Sequence, residues 1–192
     1  MAVKEYQQEL KELLKNHFSN EDVKTEWRTK MKKGLYSPRV DVAIGPFAVD
    51  EGVRYTLEHS DMFNRHLSLF HRLVEQHLIN LNIITEDTSN EQKQFLMEKK
   101  MQEIQWTNLN GRCFLAIEVE NKISRKHLMG GAVNAAVLGK IGIAVGFTKD
   151  KHKAFLNLYR YFQFLKDVEK PTFKTDNLLI ISASQLVDIL DN

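Results

Sequence analysis

The stretch 113–122, CFLAIEVENK, combines the pattern of a buried strand with residue types that do chemistry. Two carboxylates and an ammonium group stand at alternate positions: Glu118, Glu120 and Lys122. Because successive side chains of a strand point to opposite faces, these three share one face with Phe114 and Ala116. Charge at the end of a buried strand is costly unless a partner compensates it, and a divalent cation held by carboxylate oxygens is such a partner. The alternative is a strand that ends at a sheet edge with solvated acids.

A third carboxylate, Asp41, lies between two valines in the β-rich run 39–47, RVDVAIGPF. A Gly-Pro turn at Gly45 breaks this run, and a return strand from Phe47 to Tyr55 would complete a hairpin. An aspartate inside such a strand is a hydrogen-bonded residue, an exposed residue or a ligand.

The most basic part of the chain is the run 24–39, KTEWRTKMKKGLYSPR, in which Trp27 and Tyr36 are interleaved with cations and Glu26 is the one acid. Its cationic residues are Lys24, Arg28, Lys30, Lys32, Lys33 and Arg39. Basic residues with aromatic neighbours can follow a phosphate backbone, so we expect a nucleic-acid contact here. The alternative is a solvated loop or an edge strand protected by lysines.

A second basic feature opens the helix that follows the central strand. Ser124 is a plausible N-cap, and Arg125, Lys126 and His127 form the first turn. Cations oppose the dipole at a helix N-terminus, which indicates a nearby anion such as phosphate. Further along, a nearly smooth surface predicts a close approach of this helix to a sheet; its small residues are Gly130, Gly131, Ala132, Ala135 and Ala136. The spacing of the glycines does not match a nucleotide-binding loop.

The elements around these residues predict an α/β protein. Apolar periodicity gives helices over 2–18, 61–81, about 90–105, 124–138, 150–166 and 184–190, and strands over 113–122, 140–148 and 178–182. Ser89 with Gln92 as a capping box, or Asn90, could cap the helix that begins near 90. The helices between about 60 and 106 would be an insertion between core strands. Their histidines, His66, His71 and His77, lack the spacing of a two-histidine metal helix.

Composition places the chain among soluble globular proteins. With 192 residues, 43% apolar and 27% charged, it fits a single domain over 1–192, and its net charge of +2 and pI near 8.5 permit a phosphate-bearing partner. The single cysteine, Cys113, excludes an internal disulfide and a multi-cysteine zinc site. We find neither a secretory signal nor a stretch of transmembrane length and expect a cytoplasmic protein without a membrane partner.

Asp41 after a VD strand, followed by a hydrophobic strand that ends in Glu-Val-Glu, resembles the PD-(D/E)xK nuclease superfamily. The resemblance covers residues 38–148, with Pro38 three positions ahead of the aspartate instead of adjacent to it. In that family a first acid and a (D/E)-x-K pattern on the next strand converge on Mg²⁺. Two registers match: Glu118 and Glu120, with Glu at the usual lysine position, or Glu120 and Lys122, which preserves the acid and the lysine.

The resemblance implies a restriction-endonuclease-like mixed sheet flanked by helices, with a helical insertion. It implies metal-dependent hydrolysis of phosphodiester bonds, first of all in DNA, with Mg²⁺ or Mn²⁺ as cofactor; a homodimer is compatible with it. The catalytic set would be Asp41, Glu118, Glu120 and Lys122, the metal ligands Asp41, Glu118 and Glu120, and the nucleic-acid contacts Lys30, Lys32, Lys33, Arg39, Arg125 and Lys126. We favour the first register, because Glu118 has the buried context of the family. The alternative function is a catalytically silent domain of the same fold that binds nucleic acid or protein.

Overall fold

A computed structural model describes residues 2–19, 21–29, 38–121, 125–170 and 174–191, without the side chain of Arg125. Within these ranges the elements, in chain order, are α1 (Val3–His17), β1 (Val23–Arg28), β2 (Arg39–Ile44), α2 (Thr56–Arg65), α3 (Leu67–Asn80), α4 (Asn90–Trp106), β3 (Cys113–Glu120), α5 (Arg125–Leu138), β4 (Gly139–Gly146), α6 (Lys149–Asp167), β5 (Leu178–Ser182) and α7 (Ala183–Asp191). None of these helices is long and apolar enough to cross a membrane.

The five strands form one mixed sheet in the order β1-β2-β3-β4-β5. β2 runs antiparallel to both of its neighbours, whereas β3, β4 and β5 are parallel to one another. The connections between the parallel strands contain helices, as such connections require. The predicted α/β class, with a mixed sheet flanked by helices, is therefore confirmed, and three helices are inserted between β2 and β3.

Helices cover both faces of the sheet. α1, α3 and α7 pack on one face, where the larger core lies, and α5 and α6 pack on the other. β4 is buried at all of its positions, because it lies between the two helical layers. A Cβ added at Gly142 of β4 would lie 2.7 Å from the backbone carbon of Ala135, so this glycine is what allows α5 to approach the sheet closely.

The predicted helix over 61–81 is two helices that meet at His66. His66 has φ −113° and ψ 26°, outside helical geometry, and its ring packs 4.3 Å from that of Phe18. The break reorients the chain so that α2 buries Met62 and Phe63 while α3 buries its own apolar face. The predicted capping box of Ser89 and Gln92 is confirmed at the start of α4.

The predicted return strand from Phe47 to Tyr55 is wrong. Backbone carbonyl groups of this segment are hydrogen-bonded to a side chain instead of a strand. The Arg112 guanidinium donates to the carbonyl of Val53 at 3.1 Å and to that of Ala48 at 3.4 Å. The Asp50 carboxylate accepts from the following backbone N–H groups. With these groups satisfied, the segment needs no neighbouring strand.

Two local expectations are also resolved around the sheet. Residues 24–28 of the basic run lie in the edge strand β1, and their contact with nucleic acid stays a prediction. Phe114 does not share the face of Glu118, since its ring packs against Phe18 and Phe70 in the core that also holds Ile117. Phe114 lies at the start of β3, where Phe114 and the following residue, Leu115, both belong to this core.

Candidate functional site

A cleft of about 1110 Å³ opens at the end of the sheet where β1 and β3 finish and β2 begins. The N-terminal turns of α1 form one wall, and the N-terminal half of α5 forms the other. The lining residues are Val3, Lys4, Gln7, Glu26, Arg28, Arg39, Asp41, Glu118, Val119, Glu120, Asn121, Lys126, His127, Gly130, Gly131, Asn134 and Phe155. The cleft thus collects polar and charged groups from five elements at the carboxyl end of β3, a usual place for a ligand in α/β sheets.

Asp41 of β2 and Glu118 of β3 lie opposite each other on adjacent strands. β2 pairs with β3 so that Val42 lies opposite Ile117, and the register continued by one residue sets Asp41 opposite Glu118. The two carboxyl groups lie within hydrogen-bonding reach of each other. Asp41 is fixed in place because its Oδ2 accepts the backbone N–H of Val119 at 2.7 Å.

Burial and like charge act together on this carboxyl pair. Desolvation raises the pKa of Glu118 to about 9, with a further increase from the charge of Asp41. Desolvation also raises the pKa of Asp41, against a lowering by the Val119 N–H. Two adjacent carboxylates in a poorly solvated place resist simultaneous ionisation, so the pair holds a proton or needs a cation.

Helix α5 completes the surroundings of Glu118. The side chain of Asn134 forms a hydrogen bond that favours the ionised form of this carboxylate. Gly131 lies next to it, and a Cβ added there would be 3.8 Å from Glu118 Oε2, an ordinary van der Waals distance. A Cβ added at Gly130 would meet no atom within 4 Å. The predicted close approach of this helix to the sheet is confirmed, and the contact is made by its alanines and by Gly142 of β4, not by Gly130.

Glu120 lies two residues further along β3, on the same face as Glu118, and it also lines the cleft. It is half-buried and has an interaction of its own. Lys122 lies outside the described residues, so its predicted role as a catalytic cation stays a prediction. Of the two possible registers, it is Glu118 that the structure places opposite Asp41.

Glu26 is a cleft residue that the sequence did not single out as functional. It lies in β1 opposite Asp41, because Thr25 pairs with Val42 on one side of it and Trp27 with Val40 on the other. Its φ of 53° is unusual for a residue other than glycine, and such conformations cluster at functional sites. Its carboxylate accepts from Arg39 Nε at 2.6 Å. The alternation of Lys24, Glu26 and Arg28 along β1 was the available signal, but the pairing partner was not visible in the sequence.

The basic residues of the sequence divide into those at the cleft and those elsewhere. Arg39 and Lys126, both predicted nucleic-acid contacts, line the cleft together with Arg28 and Lys4. Lys24 does not, because it pairs with Asp22 at 2.7 Å and lies 4.3 Å from the centroid of the Phe47 ring. The predicted contacts Lys30, Lys32 and Lys33 and the side chain of Arg125 lie outside the described part of the chain.

Two wall residues of α1, Lys4 and Gln7, were also missed. Gln7 lies on the apolar side of this helix with Leu10 and Leu14 and is only 7% exposed. A polar residue at a position where the helical period expects an apolar one was a signal in the sequence.

The donor set fits a divalent cation. Asp41 and Glu118 offer two adjacent carboxylates, the ligand type that Mg²⁺ prefers, and their shared burial leaves negative charge to be compensated. Among the described residues, no group of three His, Cys, Asp or Glu side chains comes together to hold a metal. Asp41 and Glu118 could therefore supply one or two carboxylate ligands, and the remaining positions around a Mg²⁺ ion would be filled by substrate phosphates and water.

Comparisons with known proteins add no relative. No family model matches the sequence, and neither the curated proteins nor the solved structures contain a significant match. The cleft itself is therefore the basis for inferring a function.

Proposed function

We propose that this protein is a metal-dependent nuclease of the restriction-endonuclease-like type. It hydrolyses phosphodiester bonds, and DNA is the expected substrate. The observation that carries the proposal is the partly buried pair of Asp41 and Glu118, which lie opposite each other on adjacent strands in a cleft that cations also line. The first acid on one strand and the Glu-x-Glu pattern on the next are the arrangement that the resemblance to PD-(D/E)xK nucleases implies.

In this proposal Asp41 and Glu118 hold a Mg²⁺ or Mn²⁺ ion. When bound, the ion would neutralise charge that develops on the scissile phosphate and lower the pKa of the attacking water. The Val119 N–H orients Asp41 through a 2.7 Å hydrogen bond, and the hydrogen bond from Asn134 orients Glu118 and partly offsets the raised pKa of its carboxyl group. Glu120, on the same face, adds a carboxylate that binds the ion or orients the water.

The cations at the cleft mouth would bind the phosphates on either side of the scissile bond. Arg39 is the best placed, because it lies two residues from Asp41 on the same strand and Glu26 holds its guanidinium at 2.6 Å. Arg28 lies opposite Arg39 in the register of β1 and β2. Two guanidinium groups on neighbouring strands favour an anionic ligand between them, since like charges directly opposite each other are otherwise destabilising.

The second candidate is a catalytically silent domain of this fold that binds nucleic acid or protein. The observation in its favour is that, in the described ranges, the acids of the cleft do not assemble as a three-ligand metal group. In such a protein Asp41 and Glu118 would share a proton, and Arg39 would stay paired with Glu26. Fold alone does not decide between the two candidates.

The experiment that tests the proposal is cleavage of supercoiled plasmid and of labelled linear DNA and RNA by the purified protein with Mg²⁺, Mn²⁺ or EDTA. The nuclease proposal expects nicking or cutting that needs the metal and is lost in EDTA. Glu86→Gln, an exposed carboxylate outside the cleft, is a matched control for each carboxylate variant. Nucleic-acid binding without any metal-dependent cleavage would favour the silent domain.

A further inference from the structure

Gln7 is a buried polar residue whose hydrogen-bonding groups have no use within the protein. It is 7% exposed and lines the cleft from the side of α1. Within the described ranges its carboxamide makes no hydrogen bond, although the side chain has two donors and an acceptor. Neither Oε1 nor Nε2 of Gln7 is among the fully buried unpaired atoms of the described residues, so the carboxamide reaches the open space of the cleft and can bind a group that lies there.

The opposite wall of the cleft indicates which space the Gln7 carboxamide faces. The wall opposite α1 is formed by α5, whose surface is bare at Gly130, where an added Cβ would meet no atom within 4 Å. Two glycines in the middle of a helix cost about 1 kcal/mol each relative to alanine. Since packing on the sheet does not require Gly130, the space in front of it is open for a ligand.

We infer that Gln7 is a substrate-contacting residue, whose carboxamide NH₂ donates a hydrogen bond to a phosphate oxygen of the nucleic acid that lies between α1 and α5. This inference rests on the proposed nuclease function and adds a contact on a helix that the resemblance does not include. A phosphate oxygen is the partner that fits, because Arg39, Lys126 and Lys4 line the same cleft and favour an anion.

The structure distinguishes this role from a purely structural one. An unpaired amide does not contribute a hydrogen bond to stability, so its replacement by an apolar side chain of similar length should not destabilise the fold. The same replacement removes a hydrogen bond to a charged acceptor in the complex, which is equivalent to a loss of affinity of about 10-fold to 100-fold. Stability and affinity are therefore expected to respond differently.

The test compares Gln7→Met with wild type and with Gln8→Met, the same change at the neighbouring exposed position of α1. Binding of two fluorescein-labelled oligonucleotides of unrelated sequence is measured by anisotropy in Ca²⁺ in place of Mg²⁺, and the melting temperature is measured without metal. We expect Gln7→Met to weaken both complexes by a factor of 10 or more at an unchanged or higher melting temperature, with Gln8→Met like wild type. If Gln7→Met does not fold, Gln7→Ala takes its place.

Each other outcome contradicts a defined part of the account. Wild-type affinity in the Gln7 variant, while wild type binds and cleaves, overturns the inference and leaves the nuclease function standing. A loss that depends on the oligonucleotide sequence overturns the phosphate contact in favour of a base contact, since phosphate contacts carry no direct sequence information. Wild-type protein that neither binds nor cleaves overturns the proposed function, and this inference with it.

Discussion

Replacing Glu118 by glutamine should make the metal-free protein more stable at neutral pH. The amide keeps the shape of the side chain but cannot ionise. In the wild type, desolvation and Asp41 raise the pKa of Glu118 from 4.5 to about 9, so the folded state binds more protons than the unfolded state between these values. The contribution of Glu118 to stability is therefore greatest below pH 4.5 and falls as the pH rises toward 9.

The size of the effect follows from the pKa shift. At pH 7 the buried carboxylate lowers the free energy of unfolding by about 3 kcal/mol relative to a neutral side chain. For a chain of this length, such a difference is equivalent to about 6–12 °C in melting temperature. Glu118→Gln should recover most of it and should show a flatter dependence of stability on pH across this window.

The assay is urea denaturation in EDTA at several pH values from 5 to 9, with Glu86→Gln as the control for loss of one exposed negative charge. We expect the stability curves of wild type and Glu118→Gln to separate progressively above pH 5. Parallel curves, or a less stable variant at pH 7, would refute the idea that an uncompensated carboxyl pair lies in the cleft.

Two further predictions concern the cleft walls and its mouth. Gly130→Ala should raise the free energy of unfolding by about 1 kcal/mol, because the methyl group has room and alanine is the better helix former; equal or lower stability in urea would contradict the open space there. Arg39→Ala should weaken oligonucleotide binding and reduce the slope of log K against log salt concentration by about 1, whereas Lys24→Ala should leave that slope unchanged. Equal slopes for wild type and Arg39→Ala, measured by anisotropy at several salt concentrations, would remove Arg39 from the binding surface.

Regular, strongly apolar elements were predictable from the sequence, because their burial is recorded in their periodicity. β5 was predicted with its observed ends, and α5, β4 and α6 to within two residues of them. The break at His66 was not predictable, because the apolar period continues through it. Only the packing of His66 against Phe18 distinguishes two helices from one. The return strand predicted after Phe47 was wrong for a similar reason. The backbone of this segment is hydrogen-bonded by Arg112, a residue far away in the chain.

The candidate site was predictable where chemistry and periodicity coincide. Glu118 and Glu120 were found because charge interrupts a buried strand, and Asp41 because it stands between valines. Glu26 and Gln7 depend on which strand pairs with β2 and on which helix covers the end of β3, and this long-range information is absent from local patterns. The close approach of α5 to the sheet was predictable from its small residues, whereas sequence composition did not tell that the alanines face the sheet and that Gly130 faces open space.

The central claim is that Asp41 and Glu118 form the catalytic centre, and single-turnover cleavage of one DNA substrate in Mg²⁺ tests it most directly. Wild type is compared with Asp41→Asn, Glu118→Gln, Glu120→Gln and Lys122→Ala, all checked for folding. The account predicts metal-dependent cleavage that is abolished in the first two variants and only partly slowed in Lys122→Ala. A severe loss in Glu120→Gln and Lys122→Ala with a mild effect of Glu118→Gln would contradict it in favour of the other register.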